Sequence, residues 1–186
     1  MNVLLINPTF YDEDQFRNRF QDYVEWIRSG NLYVAPFEPP LGLAYLTAYL
    51  KQRGHDVTLL DMQGLMMDSA ALVRHLAAAA PPVIGITVMT PTLPAAHIVL
   101  GGVHPTLDPE GVLADPSVDF VVRGEGEEAL AQLLDALQGH RPLESVEGLC
   151  YRLDGANHIS PKSPLIADLA SLPAPDYQAF PIERYV

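Results

Sequence analysis

Short apolar runs alternate along this chain with segments of helical periodicity, and this alternation constrains the fold more than any other feature. Runs of this kind occur at residues 3–6, 56–61 and 83–88. A continuous apolar run of this length is typical of a strand covered on both faces. Strands that alternate with helices favour a parallel sheet with helices on both faces, because the crossovers are right-handed. We therefore predict an α/β, Rossmann-like (flavodoxin-like), doubly wound parallel sheet of five strands in the order 2-1-3-4-5.

The predicted elements divide the chain into two parts. Strands are predicted at 3–6, 56–61, 83–88, 97–100 and 119–122, and helices at 12–29, 41–53, 68–80 and 127–138. In the helix that Asp68 caps, the expected buried face consists of Val73, Leu76, Ala77 and Ala80. These elements form a predicted domain over residues 1–141. Residues 142–186 follow as a C-terminal hairpin and a proline-rich linker, which we expect to lead to a further domain.

The connection between the third and fourth predicted strands is short for a parallel sheet. Only residues 89–96 separate Val88 from His97, whereas a parallel crossover needs about a dozen residues. The strands could form an antiparallel hairpin, the crossover helix could be deleted, or helix residues of the molecule could be missing from this sequence. We favour the third interpretation, because both flanking strands have the pattern of parallel core strands. An intact mass equal to 20.4 kDa would contradict it.

Composition narrows the class of partner. The net charge of −12, from 23 acidic and 11 basic residues, disfavours a nucleic-acid partner, which needs a basic face. The apolar runs are too short to span a membrane, and the first residues lack the pattern of a secretory signal. The single cysteine, Cys150, excludes a disulfide framework and a cysteine-based metal site built from this chain alone. A reducing, cytoplasmic compartment is therefore expected.

Polar and glycine-rich segments follow the predicted strands at their carboxyl ends, which is where ligands bind in doubly wound sheets. The candidate binding residues in these segments are Asn7, Pro8 and Thr9; Thr87, Met89, Thr90 and Thr92; Gly101, Gly102, Val103 and His104; and Gly124, Glu125 and Gly126. Glycine at a strand end lets a ligand approach the backbone, although an ordinary tight turn uses the same residues. We predict that the four segments line one crevice.

Two further features of the crevice have competing interpretations. His104 could ligate a metal or donate to a ligand, but without a partner at metal-ligand spacing a structural role is the better interpretation. The aromatic residues of 10–37 are expected either to cover the crevice as a lid or to pack on the core. The G-x-G-x-x-G fingerprint is absent after the first strand, which disfavours NAD or FAD in the usual Rossmann mode.

The order and spacing of several segments resemble the N-terminal domain of cobalamin-dependent radical SAM enzymes. These segments are LLINPT, PPLGLAYLTAYLKQRGHDVTLLD, VIGITVMTPT, IVLGGVHPT, DFVVRGEGEEAL and GLCYR. The resemblance implies that cobalamin lies at the carboxyl edge of the sheet, with its nucleotide tail near 87–92 and the Gly101-Gly102 pair. The lower face of the corrin would meet the loop after the first strand or the Leu41-Gly42 turn. The cobalt-ligating D-x-H-x-x-G motif is absent, so no metal ligand is expected from this chain.

The resemblance also implies a catalytic domain outside this chain. Family members continue into a barrel whose C-x-x-x-C-x-x-C motif binds a four-iron four-sulfur cluster and S-adenosylmethionine, whereas only Cys150 occurs here. The implied function is the cobalamin-binding module of a radical SAM enzyme, commonly a methyltransferase that acts on an unactivated carbon. A cobalamin-free scaffold or partner-binding domain of the same fold is the alternative. A receiver-like signalling domain is disfavoured, because Asn7-Pro8-Thr9 replaces the acidic residues expected after the first strand.

Overall fold

The computed structural model describes residues 1–8, 39–65, 67–87 and 97–182. The strands in these ranges are β1 (Asn2–Asn7), β2 (Asp56–Asp61), β3 (Val83–Thr87), β4 (His97–Gly101), β5 (Phe120–Val122), β6 (Leu149–Leu153) and β7 (Ala156–His158). The helices are α1 (Leu41–Gln52), α2 (Ser69–Ala79), α3 (Val103–Leu107), α4 (Pro109–Leu113) and α5 (Gly126–Leu137). Within the described ranges, no helix is both long enough and apolar enough to cross a membrane.

The strands form a mixed sheet in the order β2-β1-β3-β4-β5-β6-β7 across the described ranges. β1 to β5 pair in parallel and follow the predicted order 2-1-3-4-5. β3 and β4 are parallel neighbours, with Gly85 opposite Val99, so the antiparallel-hairpin interpretation of their connection is wrong. Residues 88–96 lie outside the described ranges, as do the predicted helix at 12–29 and the whole aromatic segment 10–37.

In the part of the chain that the structure describes, the sheet has seven strands rather than the predicted five, because the C-terminal hairpin joins it. β6 pairs antiparallel with β5, and β7 pairs antiparallel with β6. Asp154 and Gly155 lie between these two strands with positive φ angles of 51° and 80°. The β6 residues Leu149 and Tyr151 are buried on one face of the sheet and Cys150 on the other. The hairpin was expected to stand apart, but alternate residues of β6 extend both hydrophobic cores.

Alternate residues of the strands build two cores, one on each side of the sheet. On the α1/α5 face, α1 and α5 pack against side chains that include Leu5, Val99 and Val122. On the α2 face, α2 packs against side chains that include Ile84 and Ile98. Since both faces of the parallel strands are covered, the strands are apolar at successive positions, as the sequence predicted.

The predicted cap of α2 is present, but only Leu76 of its predicted buried face is buried, and Val73, Ala77 and Ala80 are exposed. Asp68 Oδ1 accepts a hydrogen bond from the Ala71 backbone N–H at 2.6 Å. Leu76 is the buried residue of this helix, whereas Val73 is 56% exposed. Leu72, four residues before Leu76, also packs against the core. The helix therefore contacts the sheet along a narrow stripe of its surface, which the many alanines in the sequence concealed.

Two short helices replace the loop that was expected after β4. Gly102 precedes α3, and Asp108 separates α3 from α4. Asp108 Oδ1 accepts a hydrogen bond from the Gly111 backbone N–H at 3.0 Å, and Pro109 occupies the first position of α4. This Asp-Pro pair is a helix-start signal that the sequence interpretation missed.

The segment after β7 packs on the domain, in contrast to the predicted free linker. We call residues 160–182 the strap. Asp176 donates its backbone N–H to the Ala44 carbonyl at 3.0 Å, and its carboxylate lies 2.7 Å from the Lys51 ammonium. Phe180 is buried in the core of the α1/α5 face. These contacts were not predictable, because a proline-rich segment without periodicity carries no signal of what it packs against. The domain boundary at residue 142 stays a prediction.

Candidate functional site

A mainly apolar cavity of about 230 Å³ opens on the α1/α5 face, at the carboxyl ends of β3 and β4. Leu43 and Leu46 of α1 and Leu130 of α5 line its walls. Strand residues form its floor, among them Gly85, Thr87 and Gly101. The cavity therefore lies where a doubly wound sheet is expected to bind a ligand.

Two glycines on neighbouring strands create the space. Gly85 pairs with Val99 and Thr87 pairs with Gly101, so both glycines occupy the register positions that face α1 and α5. A Cβ atom built on Gly101 would lie 3.9 Å from the Cβ of Val122, so a side chain there would fill the cavity. A Cβ atom on Gly85 would lie 2.8 Å from Leu5 Cδ2. Glycine within a strand indicates close approach of another group. At Gly85 this group is the Leu5 side chain, whereas Gly101 leaves open space that belongs to the cavity.

A charged network holds the two helical walls together. The Tyr49 hydroxyl of α1 donates to a carboxylate oxygen of Glu128 in α5. Arg53 donates to the Tyr49 hydroxyl at 2.5 Å and to Glu128 Oε2 at 2.8 Å. Burial raises the pKa of Tyr49, and its hydrogen bond to Glu128 adds to that shift. The network joins the last turn of α1 to the first turn of α5, and so sets the relative position of the two helices.

Glu127 supplies a buried carboxyl group to the lining. Its side chain lies in the first turn of α5 and is 9% exposed. Burial raises the pKa of Glu127, and hydrogen bonds from the backbone N–H groups of Glu127 and Gly126 offset part of the shift. Thr87 adds a hydroxyl at the end of β3. The cavity thus combines apolar walls with a few polar groups, as small-molecule sites commonly do.

The structure brings about half of the predicted site residues together. The cavity-lining members of the predicted set are Gly42, Thr87, Gly101, Gly102, Gly124, Glu125 and Gly126. Leu41 and Val103 are their chain neighbours at the same edge of the sheet, with exposed fractions of 50% and 75%. Thr9, Met89, Thr90 and Thr92 lie outside the described ranges.

Three predicted residues lie elsewhere. Asn7 is buried, and its Nδ2 donates to Asp61 Oδ1 at 2.8 Å, which ties the ends of β1 and β2 together. Pro8 follows Asn7 and does not line the cavity. His104 lines a separate pocket with Leu100 on the α2 face. Among the described residues, no group of three His, Cys, Asp or Glu side chains is placed to hold a metal ion.

Sequence interpretation missed part of the lining. The missed residues include Leu46, Gly85, Glu127 and Leu130. Gly85 carried a usable signal, because an isolated glycine within a strand pattern indicates a close approach. The leucines carried none, since a helical residue that lines a cavity has the same periodicity as one that packs on the core.

The fold and the cavity define a class of protein: an α/β domain that binds a ligand at the carboxyl edge of a mainly parallel sheet. Residues 30–134 match the family model described as the B12 binding domain. The match covers more than half of the 186 residues, and the chain belongs to the B12-binding domain family.

Curated relatives are enzymes of greater length. An uncharacterized methyltransferase of Pyrococcus horikoshii is 33% identical over 162 residues, which cover 79% of this chain and 35% of the relative. The anaerobic magnesium-protoporphyrin IX monomethyl ester cyclase of Rubrivivax gelatinosus is 28% identical over 206 residues, which cover 100% of this chain and 34% of the relative. The chain thus spans about a third of the length of these relatives.

A solved structure has the same fold. The cobalamin-dependent S-adenosylmethionine radical enzyme OxsB, with aqua-cobalamin and S-adenosylmethionine bound, matches with a TM-score of 0.69 and 20% identity. The match covers 94% of this chain and 24% of that enzyme. The family resemblance inferred from the sequence is confirmed: this is a B12-binding domain with the fold found in a cobalamin-dependent radical SAM enzyme.

Proposed function

We propose that this chain is the cobalamin-binding module of a radical SAM enzyme, a methyltransferase that acts on an unactivated carbon. The cavity that Gly85 and Gly101 leave at the carboxyl edge of the sheet carries the proposal. Membership of the B12-binding family supports cobalamin as the ligand. The methyltransferase relative from Pyrococcus horikoshii and the radical enzyme OxsB support the class of reaction.

The cavity suits the nucleotide tail of cobalamin. Its walls are apolar where Leu43, Leu46 and Leu130 line them, and such walls favour a flat heterocyclic base. The Thr87 hydroxyl and the Glu127 carboxyl supply hydrogen-bonding groups for the polar atoms of the nucleotide. This chain's contribution is therefore to enclose the tail and exclude water from it.

The edge around the cavity suits the corrin ring. Three apolar side chains lie exposed there: Leu41 at the start of α1 and Val103 and Leu107 of α3, with exposed fractions of 50%, 75% and 70%. Exposed apolar surface beside a cavity indicates a ligand or partner that covers it. We assign this surface to the corrin, which would lie across the loops that end β4 and precede α1.

The remaining chemistry belongs to a domain beyond this chain. When bound, cobalamin supplies a methyl group for transfer to a substrate. S-adenosylmethionine and the four-iron four-sulfur cluster are assigned to a radical SAM domain that follows residues 142–186 in the full-length protein. The length of the curated relatives, about three times that of this chain, supports this arrangement. The proposal includes a cytoplasmic location, because the free thiol of Cys150 suits a reducing compartment.

Titration of the purified chain with hydroxocobalamin tests the proposal. We expect about one equivalent of cobalamin to remain after desalting, measured by its ultraviolet–visible absorbance. We also expect a spectrum without histidine ligation, since the D-x-H-x-x-G motif is absent. A folded chain that retains no cobalamin would contradict the proposal and favour a cobalamin-free scaffold.

The substitution Gly101→Val tests whether the nucleotide tail of cobalamin enters the cavity. The backbone of Gly101 lies outside the positive-φ region and the nearest atoms to a Cβ lie at 3.9 Å, so valine fits the fold but occupies the cavity. We expect cobalamin affinity to fall by more than about tenfold, because the added methyl groups overlap the tail. Thr58→Val is the matched control, since it places a valine on an exposed position of β2. Equal affinities of the two variants would show that the tail does not enter this cavity.

A further inference from the structure

The strap contacts the loop that lines one side of the cavity, and Ser163 makes the contact. The Ser163 backbone N–H donates to the Arg123 carbonyl at 3.0 Å. The Ser163 hydroxyl lies 3.1 Å from the same carbonyl and 3.0 Å from the Glu125 carbonyl, so its single proton serves two acceptors. Both acceptors belong to residues 123–126, the connection from β5 to α5, which we call the β5–α5 loop.

Two glycines make this close approach possible. Gly124 has a φ of +91°, and a Cβ atom there would lie 2.8 Å from the Ser163 hydroxyl oxygen. Gly148 has a φ of +73°, and a Cβ atom there would lie 2.9 Å from both the Arg123 carbonyl oxygen and the Ser163 nitrogen. Any side chain at either position would displace the strap from the loop. The chain therefore brings three backbone segments together at this point.

Arg123 makes a further bond to the strap, and Thr106 of α3 holds the loop from its other side. Arg123 Nη1 donates to the Ser160 carbonyl at 2.5 Å, and its Nε donates to the Thr106 carbonyl at 3.3 Å. The Gly124 backbone N–H donates to the Thr106 hydroxyl at 3.0 Å. The β5–α5 loop is thus fixed between the strap and α3.

The opposite end of the strap reaches the other wall of the cavity. Asp176 bonds to the backbone and to Lys51 of α1, and Phe180 is buried beside α1. The strap therefore contacts α1 directly and the start of α5 through Ser163. Leu43 and Leu46 of α1 face the cavity from one side, and the β5–α5 loop from the other.

We infer that Ser163 is a positioning residue for the cofactor: it holds the β5–α5 loop where Gly124, Glu125 and Gly126 line the cavity, so that cobalamin affinity depends on the strap. The inference rests on the proposed cobalamin-binding function. It gives the segment between the sheet and any following domain a role in cofactor binding. A movement of the strap would change the cavity without any change in the sheet.

Affinities of Ser163→Ala for hydroxocobalamin and for cobinamide, which lacks the nucleotide tail, test the inference in the full chain. We expect cobalamin affinity to fall by about three- to tenfold, the effect of one lost hydrogen bond, and cobinamide affinity to stay unchanged. Ser171→Ala is the matched control: Ser171 also lies in the strap and donates to a strap carbonyl, that of Asp168, at 2.6 Å. Unchanged cobalamin affinity in Ser163→Ala, or an equal loss for both ligands, would overturn the inference.

Hydrogen exchange of the amides of residues 124–127 tests the same point without ligand. We expect faster exchange in Ser163→Ala than in Ser171→Ala, because only the first variant releases the loop. Equal exchange rates in the two variants would overturn the inference. If the wild-type chain bound no cobalamin, that result would contradict the proposed function, and the exchange rates would still test the role of Ser163. If Ser163→Ala unfolds at the assay temperature, Ser163→Cys replaces it, since the thiol has a similar size and is a weak donor.

Discussion

The same strands build a hollow on one face of the sheet and a filled core on the other. On the α1/α5 face, β3 and β4 present Gly85 and Gly101, and the cavity lies above them. On the α2 face, the alternate residues of the same strands are Ile84, Ile98 and Leu100, which are at most 4% exposed. Successive side chains of a strand point to opposite faces of the sheet. Neighbouring residues of one strand therefore face the cavity on one side and the hydrophobic core on the other.

This contrast shows that the cavity depends on strand positions that carry glycine in place of a larger side chain. The large residues that β3 and β4 present on the α2 face are buried in its core and contribute to stability. The glycines of the α1/α5 face have no side chains to pack against α1 and α5, and an apolar cavity lies above the strands. Stability and binding should therefore respond separately to substitutions on the two faces, and the following predictions test that separation.

The largest effect is expected from Ile98→Ala on the α2 face. Ile98 is fully buried, so the substitution removes buried methyl groups and leaves a void, at a cost of about 2–5 kcal/mol in the free energy of unfolding. Chemical denaturation measures this loss, and the cobalamin affinity of the folded fraction should not change. Val73→Ala in α2 is the control, because Val73 is 56% exposed and should matter by less than about 0.5 kcal/mol. A loss as small as that of the control would mean that the α2 face is not closely packed.

A smaller effect is expected from Tyr49→Phe, which tests the contact between the two walls of the cavity. The variant removes the hydroxyl that donates to Glu128 and accepts from Arg53. We expect a loss of about 0.5–1.5 kcal/mol in the free energy of unfolding, since one partner of a partly buried hydrogen bond is removed. Tyr45→Phe on the same helix is the comparison, and it should lie closer to the wild type. The network would be shown to contribute nothing if both variants unfold at the same denaturant concentration.

The smallest effect is expected from Glu127→Gln, measured as a difference in stability across pH. Because burial raises the pKa of Glu127 above its ordinary value of 4.5, the folded protein holds this proton more tightly than the unfolded chain. The resulting stability is present below pH 4.5 and is lost as the pH rises through the raised pKa. Glutamine does not titrate, so the variant should be more stable than the wild type at pH 8, and this gain should disappear at pH 4. A gain that does not change with pH would show that ionisation of Glu127 is not its cause.

The elements of the fold were largely readable from local patterns. The runs of apolar residues identified β1 to β5, and the leucine periodicity identified α1 and α5, each within one or two residues of the observed bounds. Asp68 was recognised as a cap because its side chain bonds within its own turn. These signals are local in sequence, and local hydrogen bonding and burial on one or both faces cause them directly.

The candidate site was readable only in part. Gly101, Gly102 and Gly124 to Gly126 were found because they follow strands, and the carboxyl ends of parallel strands meet at one edge. Leu46 and Leu130 were missed, since their helical spacing does not distinguish a cavity wall from a core. His104 and Asn7 do not line this cavity, because the direction of a side chain after a strand depends on the turn that follows.

The sequence by itself determined the type of each regular element, the parallel order 2-1-3-4-5 and the family, because these follow from periodicity, caps and the order of motifs. Only the tertiary structure decided that β6 and β7 extend the sheet, that Gly85 and Gly101 lie on the same face of neighbouring strands, and that Ser163 bonds to the β5–α5 loop. Each of these depends on residues far apart in the chain. Such contacts are selected by the packing of whole elements, and no local pattern encodes them.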